Sequence, residues 1–282
     1  MKVAVTGASG HVGGRLADEL ERRGHDVRRL THEDGDVADR EAMLGALDGM
    51  DAAYYLVHGL ATAGEFVEEE RHGARTFAEA VRRRGVGRLV YLGGIVHGDD
   101  LSPHLQSRRD VGEILRASGV PAIELRASIV VGDGSASFDL VRTLVERLPG
   151  LVGPDWLDNA AQPIAVDDVV AYLVAALDVP VEGSAVYEIG GADRVRYRDL
   201  VNEVATQLGR PTYDVTVPMP VPPLDASQLP EQLARLIPGR ARIAANLLES
   251  LRHDTDVRDD AAARDFDVRP LGLRDAVAAA LS

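Results

Sequence analysis

Thr6-Gly7-Ala8-Ser9-Gly10-His11-Val12-Gly13 is the stretch on which the reading of this chain turns. It follows an apolar run over residues 3–6 and opens residues 12–23, where Val12, Leu16 and Leu20 share one helical stripe until Gly24 stops it. A G-x-x-G-x-x-G match placed between a strand and a helix is far more specific than the same letters elsewhere. Gly7 permits the tight turn, Gly10 lets the backbone approach a pyrophosphate, and Gly13 lets the helix lie close to the sheet. The start of the helix adds free N–H donors and a partial positive charge. Gly7, Ala8, Ser9, Gly10, His11 and Val12 are therefore the candidate dinucleotide-binding turn.

Outward from that turn the chain alternates. Residues 26–30, 52–57, 87–92 and 121–126 read as further strands, and residues 40–47, 65–84 and 104–118 as the helices between them. Short β-branched runs alternating with long helices imply a doubly wound parallel sheet covered on both faces, an α/β Rossmann architecture. After about residue 150 the rhythm loosens. Residues 163–168 lead into a helix at 169–177, then a strand at 186–189, a helix at 198–208 and a closing helix at 272–281. Residues 217–230, with five prolines, read as extended or looped chain lining a cleft or a partner surface. The expected division is a Rossmann domain over 1–150, with 160–192 adding to the sheet and its cover, and a small C-terminal substrate lobe over 193–282.

At 282 residues the chain has ample length for a core. Its 45 Asp and Glu against 31 Lys and Arg give a net charge of −14, which argues against nucleic-acid binding. Acidic excess with a single lysine, Lys2, resembles proteins of salt-loving microbes, whose self-repulsion salt screens. The absence of cysteine excludes disulfides and a thiolate nucleophile and fits a cytoplasmic setting. The N-terminus carries no signal-peptide pattern, and the longest apolar run, residues 169–177, falls well short of the ~20 residues of a membrane span. The histidines show no ligand spacing, so no metal is expected. A homo-oligomer or a protein partner stays open.

The remaining cofactor positions follow from the strand ends. Gly35-Asp36-Val37 places an acceptor for an adenine amine at Asp36 and an apolar cover at Val37. Thr31 and His32 fall where a carboxylate would bind a ribose 2′-hydroxyl, with Arg28 and Arg29 just upstream; this favours NADP(H) over NAD(H). Val57 and His58 follow the third strand and are placed along the adenine ribose and pyrophosphate. Gly132-Asp133-Gly134-Ser135 is either a loop closing over nicotinamide or a plain loop. Tyr54, Tyr55 and Tyr91 read as core, Glu68-Glu69-Glu70 as a solvated helix face, and Asp167-Asp168 as a helix N-cap.

With these residues in place the chain resembles the atypical short-chain dehydrogenase/reductases of the nucleoside-diphosphate-sugar epimerase-like or complex-I-accessory-subunit-like kind. The resemblance runs through residues 6–13, 53–58, 89–94, 101–108, 125–132, 162–164 and 187–191. It implies an extended Rossmann domain with a small lobe over the nicotinamide end. It also implies a Tyr-x-x-x-Lys pair and a Ser or Thr at the end of the fourth strand, and here the chain departs. The matching pair is His104 and Arg108, four residues apart on one helix face, and the Ser position is Gly93-Gly94. His104, with an imidazole that titrates near neutrality, is the candidate catalytic acid. Gly93 and Arg108 are candidate cofactor contacts, although an arginine stays protonated and relays nothing. Because Lys2 is the only lysine, no second Tyr-x-x-x-Lys exists in the chain. Two functions stay open: an NADP(H)-dependent oxidoreductase or epimerase-like enzyme acting on a small carbonyl, quinone or sugar-nucleotide-like substrate, and a non-catalytic dinucleotide-binding regulator or assembly subunit.

Overall fold

A computed structural model describes residues 1–57, 66–98, 101, 103–147, 155–212 and 251–282. Six strands build one sheet: β1 (Lys2–Thr6), β2 (Asp26–Leu30), β3 (Ala52–Tyr55), β4 (Arg88–Gly94), β5 (Ala122–Ala127) and β6 (Ser184–Ile189). They run parallel in the order β2-β1-β3-β4-β5-β6. The chain leaves β1 toward β2 and returns on the other side through β3, so β1 and β3 bound the switch point where an open parallel sheet receives its ligand.

The apolar strands serve two cores because side chains alternate between faces. Val3, Val5, Tyr54, Val90, Ile123 and Leu125 pack under α1 (His11–Arg22) and α6 (Val166–Ala175). Ala4, Ala53, Tyr55, Leu89 and Tyr91 pack under α2 (Arg40–Ala46), α3 (Phe66–Arg84) and α4 (Pro103–Arg116). Tyr54, Tyr55 and Tyr91 are core side chains, all nearly fully buried. Burial on both faces is what makes these strands read as continuous apolar runs.

The sequence reading leaves residues 136–147 unassigned. They form α5 (Ala136–Arg147), whose Phe138, Val141 and Val145 join a third core with Leu200, Val204, Val277 and Ala280 from α7 (Tyr197–Gln207) and α9 (Leu273–Leu281). This third core thus draws on three separated chain segments, which no local periodicity reveals. The short α8 (Ala261–Asp265) sends the chain back to the sheet, where Phe266 meets Tyr172 and Tyr187 edge-on at 5.4 and 5.0 Å between ring centres. Residues 217–230 lie outside the described residues.

Helix α6 starts earlier than expected. Its N-cap is Ala165, so Asp167 and Asp168 sit in the first turn rather than capping it. Asp168 instead accepts a hydrogen bond from the Leu271 N–H at 2.8 Å, tying the C-terminal segment to the sheet's cover.

Candidate functional site: the switch-point cleft and the C-terminal edge of the sheet

The glycine turn occupies the crevice between β1 and β3, and two of its glycines have no substitute. Gly7 has a φ of +67°, and a Cβ there would lie 2.7 Å from the Leu56 carbonyl oxygen. A Cβ at Gly13 would lie 2.2 Å from the Gly7 oxygen, closer than any real contact. The Gly10 N–H donates to the Gly7 carbonyl at 2.9 Å and closes the turn. Helix α1 then begins at His11, and its N-cap, Gly10, offers no side-chain partner to the first-turn N–H groups. An uncapped helix start behind a glycine-rich turn leaves free N–H donors of the kind that favour an anion. Ser9 and Gly10 are exposed on the turn, Ala8 is buried behind it, and His11 and Val12 are half-buried.

The His11 ring lies against the loop that follows Val130–Val131. A Cβ at Gly132 would sit 3.1 Å from its Nε2, which is buried without a partner. Burial, and then the nearby Arg15 charge, lowers its pKa. The loop over residues 132–135 therefore abuts the glycine turn.

At the end of β2, Thr31 caps a single 3-10 turn (His32–Asp34), and its N–H donates to Asp34 Oδ2 at 2.8 Å. Hydrogen bonds from the Thr31 N–H and hydroxyl hold the Asp34 carboxyl below its ordinary pKa. His32 is exposed. The two arginines behind the NADP(H) expectation have other partners. Arg28 donates to the Ala46 carbonyl at 2.7 Å, and Arg29 pairs with Asp18 at 2.5 Å and Glu21 at 2.9 Å. Asp36 is exposed and accepts from the Ala38 N–H at 2.9 Å, while Val37 packs on the α3 side. Val57 is half-buried beyond β3, and His58 lies outside the described residues.

The pair at the Tyr-x-x-x-Lys positions is built differently from the expectation. His104 is 8% exposed, and burial, with the Arg108 charge second, pulls its pKa down to about 4. It does not titrate near neutrality, because desolvation disfavours the charged ring and the neighbouring guanidinium repels it. Arg108 donates to the Leu92 carbonyl at 3.0 Å and lies 5.9 Å above the Tyr91 ring centre. Gly93 is buried at the end of β4, where a Cβ would meet Glu124 Oε1 at 3.2 Å. Glu124 is itself fully buried between Arg116 and Arg126, with Arg126 Nε at 2.7 Å.

A second group of polar residues gathers at the C-terminal ends of β4, β5 and β6, and the sequence reading singles out none of them. Ser128 Oγ accepts from the Gln162 N–H and meets Thr255 Oγ1 at 3.0 Å; Thr255 Oγ1 in turn meets the Tyr197 hydroxyl at 2.8 Å. His97 Nε2 lies 2.9 Å from the Asp256 carbonyl, and its Nδ1 lies 3.8 Å from Glu188 Oε1. Glu188 Oε2 accepts from the N–H groups of Arg258 and Asp259 at 2.7 and 3.3 Å. Only folding brings residues 97, 128, 162, 188 and 253–259 together. Ser128, Gln162 and Glu188 do stand in the runs that carry the resemblance, which was the available signal.

A parallel sheet with a glycine turn at its switch point and helices α5, α7 and α9 packed together beside it is a Rossmann fold. Residues 3–111 match the model of the NAD dependent epimerase/dehydratase family. The chain is 26% identical over 269 residues to a 2-alkyl-3-oxoalkanoate reductase of Stenotrophomonas maltophilia, covering 77% of this chain and 78% of that one. Among solved structures it is similar to MoeE5 in complex with UDP-glucose and NAD, at 22% identity and a TM-score of 0.70 over 100% of this chain and 97% of that one. It is also similar to the UDP-glucose 4-epimerase of Thermotoga maritima, at 15% identity and a TM-score of 0.72, over 100% of this chain and 97% of that one. Among the described residues no helix is long and apolar enough to cross a membrane.

Proposed function

We propose that the chain is a nicotinamide-dinucleotide-dependent oxidoreductase acting on a small carbonyl substrate. The observation that carries this reading is the glycine cradle, where side chains at Gly7 and Gly13 are excluded by backbone oxygens at 2.7 and 2.2 Å. Gly7, Ala8, Ser9, Gly10, His11 and Val12 would hold the pyrophosphate, and Thr31, His32, Asp36 and Val37 the adenosine end. When bound, the cofactor supplies or takes up the hydride. A carbonyl substrate fits the similarity to a 3-oxoalkanoate reductase, and the lobe formed by α5, α7 and α9 would enclose it. A cytoplasmic setting goes with this reading.

The preferred cofactor in this reading is NAD(H). Arg28 and Arg29 are engaged elsewhere, and the Asp34 carboxylate stands beside Thr31, where it would accept from a 2′-hydroxyl and repel a 2′-phosphate. His104 keeps a place as a neutral hydrogen-bond donor to the substrate oxygen, since a desolvated imidazole can polarise a carbonyl without carrying charge. Arg108, bonded to the Leu92 carbonyl, would hold β4 and α4 in register beneath the nicotinamide.

The rival, a dinucleotide-binding regulator, is favoured by one observation: at the expected catalytic positions His104 is buried and Arg108 is bonded to the Leu92 carbonyl. Calorimetric titration with NADH and with NADPH tests the shared premise. The expected result is saturable binding of NADH, weaker binding of NADPH, and loss of both in a Gly13→Ala variant. Binding of neither dinucleotide by the wild-type protein would remove the cofactor reading altogether. Binding without reduction of any 3-oxoalkanoate or ketone probe would hand the site to the regulator.

A further inference from the structure

We propose that His97, oriented by the Asp256 carbonyl and faced by Glu188, gives and takes the proton at the substrate oxygen. This rests on the oxidoreductase reading above.

A carbonyl reduction needs a proton as well as a hydride, and His104 is neutral down to a pH of about 4. The guanidinium of Arg108 cannot release a proton near neutral pH. No other lysine than Lys2 exists, and that one belongs to β1. Among the described residues a further donor stands on another element, at the C-terminal edge of the sheet where ligands of open α/β folds lie. His97 stands there, three residues past the last residue of β4, with its side chain 14% exposed.

Its geometry suits proton transfer. A carbonyl only accepts, so the 2.9 Å contact to the Asp256 oxygen fixes the proton on Nε2 and sets the ring's orientation. Nδ1 is then the atom that alternates between bare and protonated. Glu188 Oε1 faces it at 3.8 Å, too distant for a hydrogen bond. Glu188 cannot swing away, because the Arg258 and Asp259 N–H groups hold its other oxygen at 2.7 and 3.3 Å. The remaining charges nearby are matched: the Asp256 carboxylate pairs with Arg194 at 2.8 Å and faces Arg258 at 3.6 Å.

The step balances. The carbonyl carbon gains a hydride from the reduced nicotinamide, the C=O π pair moves to oxygen, and that oxygen takes the Nδ1 proton. The neutral His97 then recovers a proton from solvent. In the oxidative direction the same nitrogen accepts the hydroxyl proton.

His97→Gln is the informative variant, since a glutamine amide can keep the bond to the Asp256 carbonyl but cannot carry the proton. Turnover of a 2-alkyl-3-oxoalkanoate with NADH is expected to fall ~10²–10⁴-fold. KM, the calorimetric affinity for NADH and the melting temperature should stay near wild type, and the basic limb of the pH–rate profile should disappear. Nitrogen NMR of the free wild-type protein provides a reading independent of activity, and the neutral His97 ring is expected to be protonated at Nε2 alone. Wild-type turnover in His97→Gln, or a neutral ring protonated at Nδ1, overturns the assignment while leaving the oxidoreductase reading intact. A wild-type protein that binds NADH and reduces no probe overturns both.

Discussion

His104 loses more than its charge on folding; it acquires a pH dependence that can be measured. The unfolded chain takes up a proton at an ordinary histidine pKa near 6.5, whereas the folded site, desolvated and beside Arg108, resists protonation until about 4. Between those values the unfolded state binds more protons, so stability rises with pH across that window and is lost as pH falls through it. The full span corresponds to about 3 kcal/mol. Urea unfolding from pH 7 to pH 4 should show this slope, and His104→Phe should flatten it whatever its absolute stability. An unchanged slope would place the ring in water rather than in the core. The identity of the residue was legible from its spacing to Arg108, but its ionisation was not, because that depends on what covers it.

At the scale of elements, residues 251–260 tie α7 to the end of β5. A chain of hydroxyls links them. Tyr197 donates to the His253 carbonyl at 3.2 Å, its hydroxyl meets Thr255 Oγ1 at 2.8 Å, and Thr255 Oγ1 meets Ser128 Oγ at 3.0 Å. Each hydroxyl belongs to a different part of the fold: β5's end, this segment and α7. Tyr197→Phe leaves the buried Thr255 hydroxyl without its Tyr197 partner and should cost about 1–3 kcal/mol in chemical denaturation. Affinity for NADH should not change, because the glycine cradle is built from β1 and α1. Equal stability of the variant would mean that the chain of hydroxyls contributes no net tie between α7 and the end of β5.

Seen as a whole, the molecule carries a net charge of −14, and its surface arginines are largely committed to local pairs such as Arg22 and Arg23 with Glu19. Such exposed pairs contribute only about 0–1 kcal/mol each and weaken with salt, whereas the long-range repulsion of the acidic excess is screened as the Debye length falls from ~10 Å to ~3 Å toward molar salt. The second effect should win, and thermal melts in rising sodium chloride should move upward. A downward shift would mean that the local pairs carry more of the stability than the excess charge removes.

The sequence by itself determined the Rossmann half. Strand, glycine turn and helix lie within the first 23 residues, and a parallel sheet buried on both faces writes its strands as unbroken apolar runs. The expected pair at His104 and Arg108 was likewise visible, because four residues on a helix set a fixed relation. Tertiary structure alone decided the rest. It placed α5 in a core with helices some 60 and 135 residues further on and set Arg28 against the Ala46 carbonyl and Arg29 against Asp18 and Glu21. It also gathered His97, Ser128, Glu188 and Thr255 at one edge of the sheet. The physical reason is common to all three: burial, charge partners and hydrogen bonds between distant segments depend on distances in space, and local periodicity encodes only neighbours along the chain.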